Sequence, residues 1–324
     1  MDDRMLHEYR REPDPRFASG LRERLRRLER RRVLPSPFAT RIVAAVAAAA
    51  AIVVVFAVPS VRVSAQAVLD VFRVRRFAAI PFKESRRDLL ESMSKDEGPV
   101  IFDREEKLID PGPPIYVASR EAAAARAGFV VQAPGYLPTG FVADSVFVQG
   151  EAAARVAVSE AKLRALLQRL DINDVSVPAG LDGQWVEVRK PPMVMQRFRT
   201  ERRHAMLLQA PSPEVKLPAG WNLEQLGEIG LRVLGLDARD AKRIAKATDW
   251  RGTFLVPLPA NASSFRQVDV HGQSGLLITT TERTADGKSR DERSVLMWST
   301  GDRVFLLRGD LGQQDLLRMA ESVS

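Results

Sequence analysis

The 324-residue chain contains no cysteine and only three histidines, His7, His204 and His271, which are far apart in the sequence. Without cysteine the chain can form no disulfide framework, no thiolate nucleophile and no cysteine-ligated zinc or iron–sulfur site. The scattered histidines also remove the side chain that most often serves as a metal ligand or as a general base near neutral pH. We therefore expect no catalytic residue, no metal site and no cofactor.

Catalytic motifs are present only as fragments. Ser92–Lys95 and Ser159–Lys162 both have the Ser-x-x-Lys spacing of penicillin-binding enzymes, but neither Lys-Thr-Gly nor Ser-Asp-Asn accompanies them. Gly287–Ser289 resembles the end of a phosphate-binding loop, yet Glu282 stands where the first glycine of that loop belongs. The sequence thus indicates a protein that is not an enzyme.

Positive charge is concentrated at the N-terminus. Twelve of the 49 Lys and Arg residues are arginines between Met1 and Arg41, against seven acids in the same stretch. A basic arm of this kind either neutralises nucleic-acid phosphates or flanks a membrane segment and contacts anionic lipid head groups. Because a long apolar run follows Arg41, we favour the membrane and expect no direct binding of nucleic acid.

The 17 residues from Ile42 to Val58 carry no polar side chain. As a helix they would span about 26 Å, which is close to the thickness of the hydrocarbon core of a bilayer. Pro59 then ends the helix, because proline lacks the amide hydrogen and clashes with the preceding turn. The sequence predicts one transmembrane helix within residues 38–59, with these residues in the bilayer: Ile42, Val46, Ile52, Val55, Phe56 and Val58.

The arginines before the span predict its orientation. A positively charged flank stays in the cytoplasm, so the chain after Pro59 should lie outside the cytoplasmic membrane. Val63–Ala65 has the small residues that a signal peptidase accepts, so cleavage after Ala65 is the alternative. An n-region of about forty residues is much longer than that of a cleaved signal, which favours an uncleaved signal anchor.

Residues 1–37 are the predicted cytoplasmic tail, and they contain one amphipathic helix. Arginine and glutamate separate four apolar residues that recur at helical spacing. This stripe either lies on the inner membrane surface or docks to a cytoplasmic regulator such as a sigma factor. The candidate partner-binding residues are Phe17, Leu21, Leu25 and Leu28.

The chain after the span is predicted to be α+β. Residues 60–114 fit a juxtamembrane stalk and linker, because they combine charge clusters with the Pro111–Pro114 run. Residues 115–324 form the predicted extracytoplasmic domain, in which alternating apolar residues indicate a largely antiparallel sheet with helices on one face. A short strand is predicted at Phe129–Gln132. The predicted helix N-caps are Ser119, Ser159, Asn222 and Asp237.

Four stretches resemble a bacterial domain family of unknown function that follows single transmembrane segments and is often associated with anti-sigma-factor-like membrane proteins. They are Phe129–Phe141, Asp249–Pro259, Val268–Ile278 and Val295–Val323. The resemblance implies an exported sensor or accessory domain and supplies no catalytic residues. In fold, the region is also similar to sigma-E regulatory and lipoprotein-carrier domains, in which a curved sheet cradles lipid. The zinc-binding anti-sigma segment needs paired cysteines, which this chain lacks.

The sequence therefore predicts a non-enzymatic, membrane-anchored protein with an extracytoplasmic sensor or accessory domain, and anti-sigma-like regulation is the further expectation. The alternative is an envelope module that binds or carries lipid or another hydrophobic ligand and uses the uncleaved signal only as an anchor. The expected partners are the lipid bilayer, a cytoplasmic regulator such as a sigma factor, and an extracytoplasmic ligand or protein.

Overall fold

A computed structural model describes residues 74–96, 100–258, 262–283 and 290–324. Within these residues the chain is a mixed α+β protein with fourteen strands and six helices. The strands are β1 (Arg76–Pro81), β2 (Phe102–Ile109), β3 (Ile115–Val117), β4 (Val142–Gln149), β5 (Ala152–Val158), β6 (Trp185–Lys190), β7 (Met193–Arg199), β8 (His204–Pro211), β9 (Glu214–Lys216), β10 (Thr253–Leu258), β11 (Ala262–Val270), β12 (Gln273–Arg283), β13 (Arg290–Thr300) and β14 (Arg303–Gly309). The helices are α1 (Glu84–Asp96), α2 (Arg120–Ala127), α3 (Glu160–Arg169), α4 (Leu223–Val233), α5 (Ala238–Ala247) and α6 (Gln313–Glu321).

Twelve of these strands form two antiparallel sheets. The large sheet has the order β11-β12-β13-β14-β8-β7-β4-β3, and the small sheet has the order β2-β5-β6-β9. The predicted α+β class with a largely antiparallel sheet is confirmed. The remaining two strands, β1 and β10, pair with each other in parallel.

The two sheets are halves of one sheet that is folded along a line. Four strands of the large sheet continue directly into the small one, as β3 with β2, β4 with β5, β7 with β6 and β8 with β9, and they keep the same neighbours in both halves. Three junctions contain proline, which cannot donate to the hydrogen-bond ladder, and the fourth contains Gly150, a residue that favours a bend in a strand. The junctions are residues 110–114, 150–151, 191–192 and 212–213.

Side chains tie neighbouring junctions to each other. Gln149 Nε2 donates to the carbonyl oxygen of Gly112 at 2.6 Å and to that of Pro111 at 3.3 Å. Glycine is needed at position 150, because a Cβ there would lie 2.9 Å from the Pro111 oxygen. These contacts hold the first two junctions side by side, which aligns the fold line across the strands.

Four of the six described helices begin where the sequence predicts. An N-cap side chain accepts a hydrogen bond from a backbone N–H of the first turn in each of four helices, as expected for Ser, Asn and Asp. The donor–acceptor distances are 3.2 Å for Ser119 in α2, 3.4 Å for Ser159 in α3, 3.1 Å for Asn222 in α4 and 2.9 Å for Asp237 in α5. All four predicted caps are confirmed.

The two faces of the large sheet are covered differently, by α2 and α6 on one side and by β1 at one end of the other side. Leu276 and Leu277 are consecutive in β12, so their side chains point to opposite faces. Leu276 belongs to the core that contains α4 and α5, whereas Leu277 belongs to the core that contains α6. At this end of the sheet both sides are apolar, but α2 and α6 share one face and β1 contacts the other, which agrees with the prediction of helices on one face of the large sheet.

The folded region begins well before the expected boundary at Ile115. β1 pairs with β10 along its whole length, and β2 pairs with β5. Phe77, Ile80, Met93 and Ile101 are all part of the main hydrophobic core. Residues from Val74 onward, which we expected to be stalk and linker, thus belong to the folded domain. Exposed positions of α1 and β2 carry charged residues of this segment, among them Glu84, Asp88, Asp103, Arg104, Glu105 and Lys107.

The predicted membrane and tail residues lie outside the described part of the chain. They are Ile42, Val46, Ile52, Val55, Phe56 and Val58 of the span and Phe17, Leu21, Leu25 and Leu28 of the tail. Among the residues that are described, no helix combines the length and the apolar composition needed to cross a membrane. The span, its orientation and the tail contact therefore stay predictions.

Candidate functional site

Two adjacent rows of side chains cross the large sheet on the side opposite α6. Directly paired residues of antiparallel strands share a face, so the register defines each row. The apolar row consists of Tyr116, Phe147, Met195, Leu208 and Leu306, one residue from each of β3, β4, β7, β8 and β14. The arginine row lies next to it and contains Arg197, Met206 and Arg308. We call the surface formed by these two rows the open face.

The apolar side chains of the open face are not packed into a core. Met206, Leu208 and Leu306 are half-buried, and none of the hydrophobic clusters formed by the described residues includes them. Their strand neighbours Leu207 and Phe305, which point to the other side of the sheet, are 0% and 1% exposed. A half-exposed apolar surface beside fully buried neighbours is typical of a binding surface rather than of core packing.

Arg197 and Arg308 bring uncompensated positive charge to the open face. Neither makes an ion pair with any described residue, whereas Arg293 in the adjacent row lies 3.6 Å from the Asp310 carboxylate. Burial, followed by the nearby charges of Arg197 and Arg293, lowers the pKa of the Arg308 guanidinium below its ordinary value. An anion bound between the arginines would relieve this repulsion.

Aromatic rings end the apolar row at the edge of the sheet. The rings of Tyr116 and Phe147 meet edge to face with centroids 5.8 Å apart, and Tyr116 is 61% exposed. The Arg197 guanidinium carbon lies 4.6 Å from the centroid of the Phe147 ring. This cation–π contact keeps the charge of Arg197 against the apolar row, so apolar and cationic groups are in direct contact.

The opposite face, which we call the covered face, is closed by α2, α6 and residues 129–141. Gln196 and Gln209 are buried there, and each donates Nε2 to the Gln132 carbonyl oxygen, at 2.6 and 2.7 Å. The Gln132 N–H in turn donates to Gln209 Oε1 at 2.9 Å. The predicted strand at Phe129–Gln132 is therefore wrong, because side-chain amides and not a neighbouring strand satisfy the Gln132 backbone.

The same covering segment is also joined to the end of the chain. Ala133 and Ser324 exchange two backbone hydrogen bonds of 3.1 Å, and the Tyr136 hydroxyl donates to Asp315 Oδ1 of α6 at 2.9 Å. The polar groups of the covering segment therefore find partners within the protein, and the covered face offers no comparable surface for a ligand.

The tryptophans lie away from the open face. Trp185 is half-buried between the guanidinium groups of Arg104 and Arg155, whose central carbons are 5.1 and 4.5 Å from its ring. The other three, Trp221, Trp250 and Trp298, are at most 5% exposed. The interpretation of tryptophan as core anchor is thus confirmed for these three.

The polar candidates considered in the sequence do not come together. His204 and His271 are exposed on different hairpins, and Ser159 serves as the cap of α3. Within residues 74–96, 100–258, 262–283 and 290–324, no group of three or more His, Asp or Glu side chains is arranged to hold a metal ion.

Sequence reasoning missed the open face, although a signal for it was present. β7 reads MVMQRFR and β8 reads HAMLLQAP, and both strands carry apolar residues on successive positions. A sheet that is solvated on one side alternates between apolar and polar residues, so apolar residues on both faces indicate that something contacts both. The arginines at 197 and 308 become neighbours of this surface only through strand pairing.

Comparisons with protein-family models, with curated proteins and with solved structures found no match to the chain. The resemblance to the family associated with anti-sigma-like membrane proteins therefore stays a prediction. The interpretation of the open face depends on its own residues.

Proposed function

We propose that the chain is a non-enzymatic, single-pass membrane protein whose extracytoplasmic domain binds an anionic lipid on the open face. The observation that carries the proposal is the contact between a continuous apolar row and two arginines without ion pairs. Lipid binding is compatible both with a sensor domain and with a carrier, the two functions that the sequence predicts.

The apolar row has the dimensions of an acyl-chain site. It crosses five strands, from Tyr116 in β3 to Leu306 in β14, and therefore measures about 19 Å at the usual spacing between strands. Met195 contributes a flexible, polarisable side chain that adapts to ligands of irregular shape. A lipid chain that lies along this row would bury surface that the protein itself leaves half-exposed.

The arginine row supplies the head-group contact. Arg197 and Arg308 are separated by one intervening strand, so their backbones are about 10 Å apart and both side chains can reach one phosphate. Guanidinium groups bind phosphate through parallel hydrogen bonds, which are strongest where water is partly excluded. The predicted membrane span keeps the domain next to a source of such lipids.

Native mass spectrometry of the full chain in a neutral detergent tests this proposal, with dioleoyl-phosphatidylglycerol and dioleoyl-phosphatidylcholine as probes. We expect a phosphatidylglycerol adduct that weakens about tenfold or more in the Arg197→Gln/Arg308→Gln variant, since each lost charge-assisted hydrogen bond contributes about 1.5–3 kcal/mol. Leu208→Gln should weaken the adducts of both lipids, because it affects the contact with the acyl chain, which both lipids have, and not the contact with the head group.

The matched control is Arg120→Gln/Arg126→Gln, which removes two exposed arginines from α2 on the covered side. Lipid that merely surrounds the predicted span is unaffected by either arginine pair. If the open-face variant keeps the adduct strength and the head-group preference of the unmodified chain, the open face does not bind lipid.

A second function is favoured by the tail stripe, which lies outside the described residues. Phe17, Leu21, Leu25 and Leu28 recur at helical spacing, and the predicted helix would carry an apolar face that a short tail cannot bury against itself. We propose that a cytoplasmic regulator of the sigma-factor type binds this face. Binding of a ligand outside the membrane would then be communicated to the cytoplasm. Co-purification of such a regulator should be lost in Leu21→Asp/Leu25→Asp, and binding that survives both substitutions would exclude docking through the stripe.

A further inference from the structure

The exposed side of α5 is a cationic stripe. Arg239, Lys242, Arg243 and Lys246 recur at helical spacing and are all exposed, while Ala241 and Ala245 on the other side are at most 1% exposed. Arg243 pairs with Asp240 at 2.8 Å, but no described acid pairs with Arg239, Lys242 or Lys246.

Acids beside the stripe are occupied by the backbone. Asp237 caps α5 by accepting from the Asp240 N–H at 2.9 Å. Asp249 Oδ1 accepts from the Arg251 N–H at 3.1 Å in the turn that follows the helix. Both carboxylates keep their negative charge, so the four basic residues of the stripe outnumber the nearby acids Asp237, Asp240 and Asp249 by one.

The first described residues join the domain beside this helix. The N–H groups of Arg75 and Arg76 both donate to the carbonyl oxygen of Gly252, at 2.7 and 2.9 Å, and Gly252 lies in the turn that follows α5. Lys83 contacts Gly235 just before the start of α5, because a Cβ on that glycine would lie 2.9 Å from the Lys83 side chain. More positive charge thus lies near both ends of the stripe, and the chain enters the domain at one of them.

Chain length places this surface within reach of a bilayer. Fifteen residues, 59–73, separate the predicted end of the span at Val58 from Val74. Even fully extended, they reach at most about 50 Å, whereas α5 itself is only about 15 Å long. The described end of the tether lies beside α5 because the Arg75 and Arg76 N–H groups bind the Gly252 carbonyl oxygen, so the cationic stripe is within the reach of the tether from a bilayer.

We propose that the stripe formed by Arg239, Lys242, Arg243 and Lys246 rests on anionic lipid head groups. This contact orients the domain on the outer surface of the cytoplasmic membrane. This inference builds on the membrane anchorage proposed above. A flat layer of negative charge complements the stripe, and each basic side chain near such a surface contributes attraction that is independent of lipid identity.

Fluorescence quenching in the full chain tests the contact, because a single introduced cysteine is the only labelling site in a cysteine-free protein. Ala247→Cys at the end of α5 carries a fluorophore, and the vesicles contain a lipid with a quencher on its head group. We expect strong quenching in vesicles of phosphatidylcholine with phosphatidylglycerol and weak quenching in phosphatidylcholine alone. A label at Ala125→Cys on α2, which is also exposed, should remain unquenched in both.

Removing charge from the stripe should release the domain. Each basic residue near an anionic surface changes the ratio of docked to undocked protein about fivefold, so Arg239→Gln/Arg243→Gln should lower that ratio about twenty-five-fold. The matched pair Arg120→Gln/Arg126→Gln should leave quenching unchanged, and high salt should act like the α5 substitutions.

Two readouts separate this inference from the anchorage on which it builds. Retention of the chain on vesicles in carbonate reports on the span alone, whereas the dependence of quenching on phosphatidylglycerol reports on the stripe. If the Ala247→Cys label is quenched equally in neutral and anionic vesicles, or if Arg239→Gln/Arg243→Gln leaves its quenching unchanged, the stripe does not dock on lipid, whether or not the chain is anchored.

Discussion

The two faces of the large sheet carry the same kinds of residues but differ in how far those residues are buried. In β14, Phe305 and Leu307 point to the covered face and are at most 1% exposed, while Leu306 and Arg308 point to the open face. Phe305 stacks on Trp298 of the covered face with ring centroids 5.0 Å apart. Leu306 lies between Leu208 and Met297 in the register but is only partly buried, although it is as apolar as Leu307.

This difference shows that apolar character alone does not assign a residue to the core. The covered face is closed by α2, α6 and the segment held by Gln196 and Gln209, so its side chains contribute to stability. The apolar side chains of the open face are only partly buried among the described residues, so we expect them to contribute less to stability than those of the covered face. Substitutions that affect folding and substitutions that affect binding should therefore alternate along the same strand.

The largest expected effect is a difference in the free energy of unfolding between substitutions of two consecutive leucines, Leu306 and Leu307. Leu307→Ala should lower the free energy of unfolding by about 2–5 kcal/mol, because it leaves a cavity in a closed core. Leu306→Ala should lower it by only about 1 kcal/mol, since the side chain is already partly exposed to water. Urea unfolding of the full chain in detergent, followed by tryptophan fluorescence, measures both, because all four tryptophans lie in residues 185–298. Equal losses in the two variants would show that the open face is covered as well.

A smaller effect is expected at the buried glutamines. Gln209→Leu removes the acceptor for the Gln132 N–H and one of the two donors to the Gln132 carbonyl oxygen. The backbone N–H of Gln132 is then left unpaired. We expect a loss of about 1–3 kcal/mol in the free energy of unfolding. Gln267→Leu, an exposed position of β11, is the matched control and should have almost no effect. A neutral result at Gln209 would mean that the covering segment is not held by this network.

The smallest expected effect is an increase in the free energy of unfolding and not a decrease. Arg308→Gln should raise the free energy of unfolding by a few tenths of a kcal/mol, because it removes a charge that faces the like charges of Arg197 and Arg293. Arg199→Gln on the same side of the sheet should lower it by about 0.5 kcal/mol, since Arg199 pairs with Asp144. High salt should reduce both differences in urea unfolding. If Arg308→Gln destabilises the fold instead, the charge is compensated within the protein and needs no ligand.

Local signals predicted much of the fold correctly. The caps at Ser119, Ser159, Asn222 and Asp237 were predictable because capping depends on residues within one turn. Most strands were predictable from alternation, and the failure at Phe129–Gln132 has a clear cause. That segment has the apolar composition of a strand, but its partners are glutamine side chains about 64 and 77 residues away. The segment before Ile115 was misassigned for a similar reason, since β1 finds its partner in β10.

The open face was not predictable, because its two rows come from five strands that are scattered through two hundred residues of the chain. What the amino-acid sequence determined by itself is local: helix starts, strand alternation, the proline and glycine junctions, and the apolar run that predicts a membrane anchor. Only the tertiary structure decided that the four junctions align into one fold line and that α6 closes one face while Arg197 and Arg308 meet on the other. The physical reason is that capping and alternation act between near neighbours in the chain, whereas coverage of a sheet face depends on contacts between distant ones.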